Sequence, residues 1–459
     1  DSTGQGSTVT AVNVTDENSG NYVCKEFSSG NEIGVGESLI LDLPNVTESE
    51  GSNTLDVEIL YDSGGLDNME VSGTISGSLA VDETNEVNND GSGENDGSED
   101  GDSGGVTGEW SEPVSTAPTC SNYPGSYSGS GTETDPYIVM NSSGLQCMNQ
   151  SLSTTYKIGQ NINASGTVSW NSNNGFRPIG TSSNPFDSVI FGNGSRISGL
   201  YINRTSGDDV GLIGYLDSIN GRVSNLDLEN IEVIGGSKTG GLAGEWDSIG
   251  EIENVNVDGK LKGERTGGIT GHTWAAISNS SVNAEITGSS DVGGITGFAS
   301  YLEITNSSFK GKVNSSGEDI GGIVGYSLHN YGLIEDSYVD ADIDGGTNVG
   351  GLAGRIQSIN DNGTKINRSY YTGDINGGSM VGGVLGTEAE GAIQANYVYW
   401  NEESSGISRG VIGEGRTSLQ LREGTSDSSV EGDPIYTSWN SEIWNFRSNS
   451  EYPVLAWEN

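Results

Sequence analysis

Few side chains in this sequence are of types that react near neutral pH, and those few are scattered. There are two histidines, His272 and His329, 57 residues apart. Zinc ligation by both would need further Cys or Asp partners at suitable spacing, and none is evident. HExxH, GxSxG and P-loop signatures do not occur. Two carboxylates about 5–9.5 Å apart can run glycoside chemistry, but a chain with 64 acidic residues will contain such pairs by chance. Asp340, Asp342 and Asp344 alternate in VDADIDGG and would share one strand face. They resemble the opening of a calcium loop, although Gly351 stands where an EF-hand has its twelfth-position glutamate. The sharper reading is a weak Ca2+ site, the only cofactor expected; the plainer one is a solvated acidic face. No catalytic residue is assigned, and the chain is expected not to be an enzyme.

Two further residue types point to modification. Cys120 and Cys147 flank one segment and are expected to pair, leaving Cys24 free or intermolecular. Asn-x-Ser/Thr triplets occur at Asn13, Asn45, Asn141, Asn149, Asn163, Asn193, Asn203, Asn279, Asn306, Asn314, Asn362 and Asn367. Composition accounts for part of that number, but the density fits an exported glycoprotein.

The net charge is −45, from 64 acidic and 19 basic residues. Phosphate would be repelled, so no nucleic-acid partner is expected. Self-repulsion strains a compact state unless salt screens it. A halophilic source and an ordinary acidic secreted protein both fit this balance. The first 110 residues hold 24 acidic groups and one basic group, Lys25. The opening, DSTGQGSTV, is expected to be that of a mature or trimmed chain whose targeting segment is gone.

The organisation that must position any site is a repeat. VGLIG (210–214), TGGLAG (239–244), TGGITG (266–271), VGGITG (292–297), IGGIVG (320–325), VGGLAG (349–354) and VGGVLG (381–386) end on glycines spaced 30, 27, 26, 28, 29 and 32 residues apart. Such a period predicts one unit stacked on itself. Upstream of most phrases the inward positions of a strand read large, small, large. Examples are Val257/Gly259/Leu261, Val282/Ala284/Ile286, Phe309/Gly311/Val313 and Val339/Ala341/Ile343. The outward residues between them include Asn283/Glu285, Lys310/Lys312 and Asp340/Asp342, which predicts a charge ladder if coils stack in register. Two aliphatics three apart, such as Val292 and Ile295, are both buried only if the chain bulges or turns between them.

Each unit has room for about three short strands, which predicts an all-β fold, a right-handed parallel β-helix; a propeller is the runner-up. The solenoid is expected over 109–459, with the aromatic tail 437–459 as its cap. Before it, 82–108 reads as an acidic disordered linker. Residues 1–81 read as a small β-sandwich, with strands at 8–14, 21–27, 37–43, 55–61 and 69–79.

GSGTETDPYIV, GFRPIG, the Phe191–Gly192–Asn193–Gly194 pattern before ISGLYINR, and the later GGIxG units resemble GLUG-motif proteins, across roughly 129–459. That resemblance implies an extracellular, adhesin-like, β-helical protein and supplies no catalytic residues. Proteases in that family keep their active sites in other domains. NEIGVGESLILDL followed by LDVEILYDSGGLDNMEVSGTISGSL resembles the β head of archaeal type IV pilin-like or archaellin-like proteins, or an immunoglobulin-like module. Pilin-like proteins carry a hydrophobic assembly helix that is not in this sequence, so membrane contact is expected only through such a segment. The expected role is a structural subunit of an archaeal pilus-like surface filament with an outward adhesive β-helix. It would assemble with itself and bind a cell-surface or polysaccharide ligand. The alternatives are a stand-alone adhesin and a polysaccharide-active β-helix enzyme.

Overall fold

The computed structural model describes five strands between residues 7 and 78, and residues 110–458 apart from 330, 359–362, 391–392, 425–434, 437 and 448–450. The acidic stretch 82–108, the strand expected at 37–43, Asn45 and Asn362 lie outside the described residues, as do the side chains of Asn13 and Cys24. The chain divides into two compact units, Asp1–Asp100 and Gly101–Asn459.

In the first unit β1 (Ser7–Asp16), β2 (Tyr22–Glu26), β3 (Glu32–Ile33), β4 (Ser52–Ser63) and β5 (Leu66–Ser78) form one antiparallel sheet. Its order is β2-β1-β4-β5, with β3 also pairing with β1. The facing layer that a sandwich requires is not among the described strands.

The second unit is a parallel β-solenoid of about seven turns. The strands Ile213–Leu216, Ala243–Trp246, Thr270–Thr273, Thr296–Ala299, Val324–Leu328, Ala353–Gln357 and Leu385–Glu390 pair in sequence order as one parallel side. Parallel pairing of successive units is incompatible with propeller blades, which are antiparallel. One coil shows the path: Thr296–Ala299, Leu302–Thr305, Ser308–Ser315, then Glu318–Gly321. That makes four short segments where three were expected, because the glycine phrase is itself a corner.

At that corner Val292–Gly293 ends one side and Thr296–Ala299 begins the next. Val292 and Ile295 are therefore both fully buried. The turn still bonds along the stack, with the Gly294 N–H donating to Gly321 O at 3.1 Å and the Ile295 N–H to Ile323 O at 3.0 Å. A Cβ on Gly294 would lie 2.0 Å from Gly322 O and 2.3 Å from the Phe309 ring. The same relation recurs at Gly268 with Val282, Gly322 with Val339 and Gly351 with Tyr371, and at Gly383 the Trp400 ring alone closes the space. The first large residue of each inward triplet thus lands on the glycine corner across the tube.

The middle, small residue of the triplet answers to the neighbouring coil. Ala284 and Ala341 are buried, but Gly311 is exposed and Gly259 half-buried. Gly259, Gly311 and Gly373 have φ of 155°, 123° and 131°, and a Cβ there would lie 2.0–2.2 Å from a carbonyl of the preceding coil. Smallness is set there by close approach along the stack. A further corner is turned at positive φ by Asn225, Asn254, Asn279, Asn306 and Asp336, residue types that tolerate that conformation.

The ends are closed by irregular chain. At the amino-terminal end Cys120 and Cys147 are disulfide-bonded, beside the helix Ser142–Cys147 and the buried rings of Tyr156, Trp170 and Phe176. At the other end Ile407 and Ile412 pack against the core that contains Trp400 and Val384. Among the described residues the aromatic tail packs in a core of its own. Trp439, Trp444 and Tyr436 form a second core on the flank with Tyr338, Tyr370 and Tyr399 from three successive coils. Glu458 accepts hydrogen bonds there from Ser308, Lys310 and Tyr338.

Gly294→Ala forces a methyl into a backbone oxygen and a ring, and is expected to cost about 3 kcal/mol or more. Gly406→Ala, at φ 68° with nothing within 4 Å of the added atom, is expected to cost about 1 kcal/mol. Denaturant titration of the two variants checks the contrast.

Candidate functional site

Each glycine corner carries one outward residue on either side, and coil stacking turns these into two columns. After the final glycine they are Tyr215, Glu245, His272, Phe298, Tyr326 and Arg355, each opposite the next. Before the phrase stand Asp209, Lys238, Arg265, Asp291, Asp319 and Asn348. With no side chains on the glycines between them, the columns touch. Lys238 pairs with Glu245 and, at 3.2 Å, with Asp209. Arg265 holds Asp291 at 2.7 Å and lies 4.6 Å over the Phe298 ring. Arg355 lies 4.2 Å over Tyr326 and 3.6 Å from Asp319, whose buried carboxyl is pushed above the usual range by desolvation. Charges this sheltered fix partners more than they stabilise.

One stretch of the column has the geometry of a hydrolase. Glu245 Oε1 is 2.8 Å from His272 Nδ1, and Ser300 Oγ is 2.8 Å from His272 Nε2. Burial first, then the charges of Arg265 and Lys238, push His272 down to about 4. The neutral ring donates from Nδ1 to the carboxylate and accepts at Nε2 from the serine hydroxyl. That is the order of a Ser–His–carboxylate relay. The sequence carried no sign of it, because only coil register brings residues 27 and 28 apart together. The Ser300 N–H, a natural oxyanion donor, is spent on Thr273 O at 3.0 Å. Glu245 and His272 face each other simply as paired residues of adjacent strands.

The predicted charge ladder is in register: Asn283 pairs with Lys310 and Glu285 with Lys312, then Lys310 with Asp340 and Lys312 with Asp342. The ion pairs are shifted from the direct opposites. Lys312 reaches Asp344 at 3.1 Å and Lys310 reaches Glu458 of the tail at 2.9 Å. Asp340, Asp342 and Asp344 do line one strand. Asp344 is held by Lys312 and Asn376, and Asp342 accepts from the Asp374 N–H at 3.2 Å. Among the described residues no group of three or more His, Cys, Asp or Glu side chains converges on a point that could hold a metal ion. A groove of about 620 Å3 runs between the two outward rows, floored by Gly259, Ala284 and Gly311.

The other surface feature is aromatic. Trp274, Tyr301 and His329–Tyr331 come from three successive coils where the glycine-led side ends. His329 lies 6.4 Å from Trp274, 5.2 Å from Tyr301 and 6.5 Å from Tyr331. Tyr331 is 55% exposed, and Glu303 accepts from the Tyr301 hydroxyl. Spacing gave no clue, since these residues lie outside the glycine phrase. Of the sequons, Asn149, Asn203, Asn306 and Asn367 commit their amide nitrogens to bonds within the fold. Asn141, Asn163 and Asn279 accept hydrogen bonds at their side-chain oxygens. Asn193 and Asn314 are exposed.

No family model matches the chain. A 169-residue stretch, 35% of the chain, is 39% identical to Halomucin of Haloquadratum walsbyi and covers 2% of that protein. A 180-residue stretch, 37% of the chain, is 32% identical to a putative Gly-rich membrane protein of Evansella cellulosilytica and covers 20% of it. A 148-residue stretch, 29% of the chain, is 32% identical to an immunoglobulin A1 protease of Streptococcus sanguinis and covers 8% of it. The matched stretches are thus small parts of longer relatives. With the fold, they indicate a cell-surface or secreted β-helix protein. Among the described residues no helix is long and apolar enough to cross a membrane.

Reversing Lys310 and Lys312 to Glu is expected to destabilise by about 1–2 kcal/mol at low salt and far less at molar salt, read by denaturation at both ionic strengths. His272 is depressed in the fold, so the unfolded chain binds its proton first on acidification. The wild type should lose on the order of 1–3 kcal/mol between pH 6.5 and 4, relative to His272→Gln. The difference between the two stability–pH curves isolates that group.

Proposed function

We propose that this is a non-enzymatic surface glycoprotein whose β-helix presents an adhesive flank. The observation that carries the reading is the aromatic cluster of Trp274, Tyr301 and Tyr331, set on consecutive coils beside Glu303 and His329. Tyr331 is exposed and Trp274 and Tyr301 are half-buried, and surface aromatic rings with polar tips are typical of binding surfaces. Rings with carboxylate and imidazole neighbours suit the faces and hydroxyls of a saccharide chain. Stretches like this one form small parts of proteins described in three different ways, which favours a presenting module over one chemistry. The spent Ser300 amide argues the same way. The Halomucin likeness and the charge of −45 support a halophilic surface setting, and glycans are best accommodated at Asn193 and Asn314.

Within this class we favour a pilus-like filament subunit with a GLUG-type, right-handed outer β-helix, since a right-handed path is the rule for parallel crossovers. The antiparallel amino-terminal sheet would be the assembling part, as the head of a pilin-like subunit. A stand-alone adhesin is the reading if assembly fails.

The test pairs binding with catalysis. The protein should be retained on a polysaccharide or cell-wall array, and Trp274→Ala with Tyr331→Ala should lower retention about tenfold or more. It should release no product from those polysaccharides, and a fluorophosphonate probe should leave Ser300 unlabelled. Product release or labelling of Ser300 would replace the adhesive reading by an enzymatic one. Electron microscopy of native material separates filament from single molecules.

A further inference from the structure

The amino-terminal end of the tube contains a cavity of about 610 Å3, between the disulfide segment and the first full coil. Two of the chain's 19 basic residues, Arg177 and Arg204, line it together. Neither forms an ion pair among the described residues, in a chain with 64 acidic groups. Their placement is built. Gln146 is buried and clamps the main chain of Arg177 from both sides, accepting from its N–H at 2.8 Å and donating to its carbonyl at 3.0 Å. Asn149 clamps the next residues in the same way, through Pro178 O at 3.2 Å and the Gly180 N–H at 3.1 Å. The arginine of the GFRPIG segment therefore projects from a fixed base.

Arg204 is half-buried and donates from Nε and Nη2 to the carbonyls of Gly175 and Phe176 at 3.2–3.3 Å. Those dipoles orient the guanidinium without neutralising it, and its Nη1 donors remain over. Burial, and after it the charge of Arg177, lowers the Arg204 pKa from its usual value. Both arginines line the same cavity, and like charges that share a cavity favour an anion there. Asp209, also in the lining, is already taken by Lys238. Asp208, exposed in the same lining, offers a carboxylate to hydroxyl donors.

We propose that Arg177 and Arg204 form a binding site for the oxyanion of an acidic saccharide, a uronate or sulfated sugar, whose hydroxyls Asp208 accepts. Guanidiniums suit planar carboxylates and sulfates, and two line this cavity. The site is separate from the aromatic flank and does not depend on its role.

Titration calorimetry on the full chain at constant ionic strength tests this with glucuronate, sodium sulfate and glucose. Glucuronate should bind, sulfate should displace it, and glucose should show no heat. Arg177→Gln, whose side chain is exposed, should weaken glucuronate about tenfold or more at an unchanged melting temperature. Arg196→Gln, at a surface pair with Glu229, should leave binding intact. Equal binding of glucose and glucuronate, or an unaltered affinity in Arg177→Gln, would overturn the proposal. Sulfate binding without glucuronate binding would overturn its saccharide part.

Discussion

There is no room for a side chain at the third residue of the six-residue glycine phrases. A bulky inward residue arrives there from across the tube while the next coil's carbonyl closes from the side. At Gly294 both lie within 2.3 Å of where a Cβ would stand. That exclusion makes the phrase a corner rather than a strand. It lets two aliphatics three residues apart face the same core, and it brings each coil to hydrogen-bonding distance of its neighbour. With only 32% hydrophobic residues, the chain cannot bury one broad globular core. It instead buries a thin, continuous column that every coil renews.

Register follows from the same approach. Because the glycines leave the corner bare, the columns on either side interlock: cation with carboxylate, guanidinium over ring, imidazole between carboxylate and hydroxyl. A one-residue slip between coils would send inward residues outward and part pairs that cross the boundary, such as Lys238 with Asp209 and Arg265 with Asp291. The exposed rows inherit this order, so surface features recur at coil spacing along the tube. An aromatic flank, a charge ladder and a relay-like trio are three products of one stacking rule. The relay-like trio shows how readily such a rule brings a carboxylate, an imidazole and a hydroxyl into line.

Much of the fold was legible because spacing in a solenoid is itself structural information. The seven phrases, the inward triplets and the pairing of Lys310 and Lys312 with the aspartates all follow from aligning units. Three things were not. The reason for Gly259 and Gly311 lies in a neighbour's carbonyl, which alternation along a single strand does not reveal. The tail's aromatic residues fit an end cap by composition, but Tyr338, Tyr370 and Tyr399 form a lateral ladder that takes them onto the flank. The clusters around His272, His329 and Arg177 join residues about one coil or more apart with no shared motif, and they appear only once coils are laid side by side.

The central claim is that successive coils lie parallel and in register. Cysteine pairs across one boundary test it most directly, in a Cys24→Ser background. Asn283 is the in-register partner of Lys310, so Asn283→Cys with Lys310→Cys should oxidise readily to an intramolecular disulfide. Asn283→Cys with Lys312→Cys, displaced by one inward–outward repeat, should oxidise poorly, because a disulfide needs Cα atoms within about 7 Å and converging Cβ vectors. Equal yields from the two pairs, or a higher yield from the displaced one, would contradict the stack.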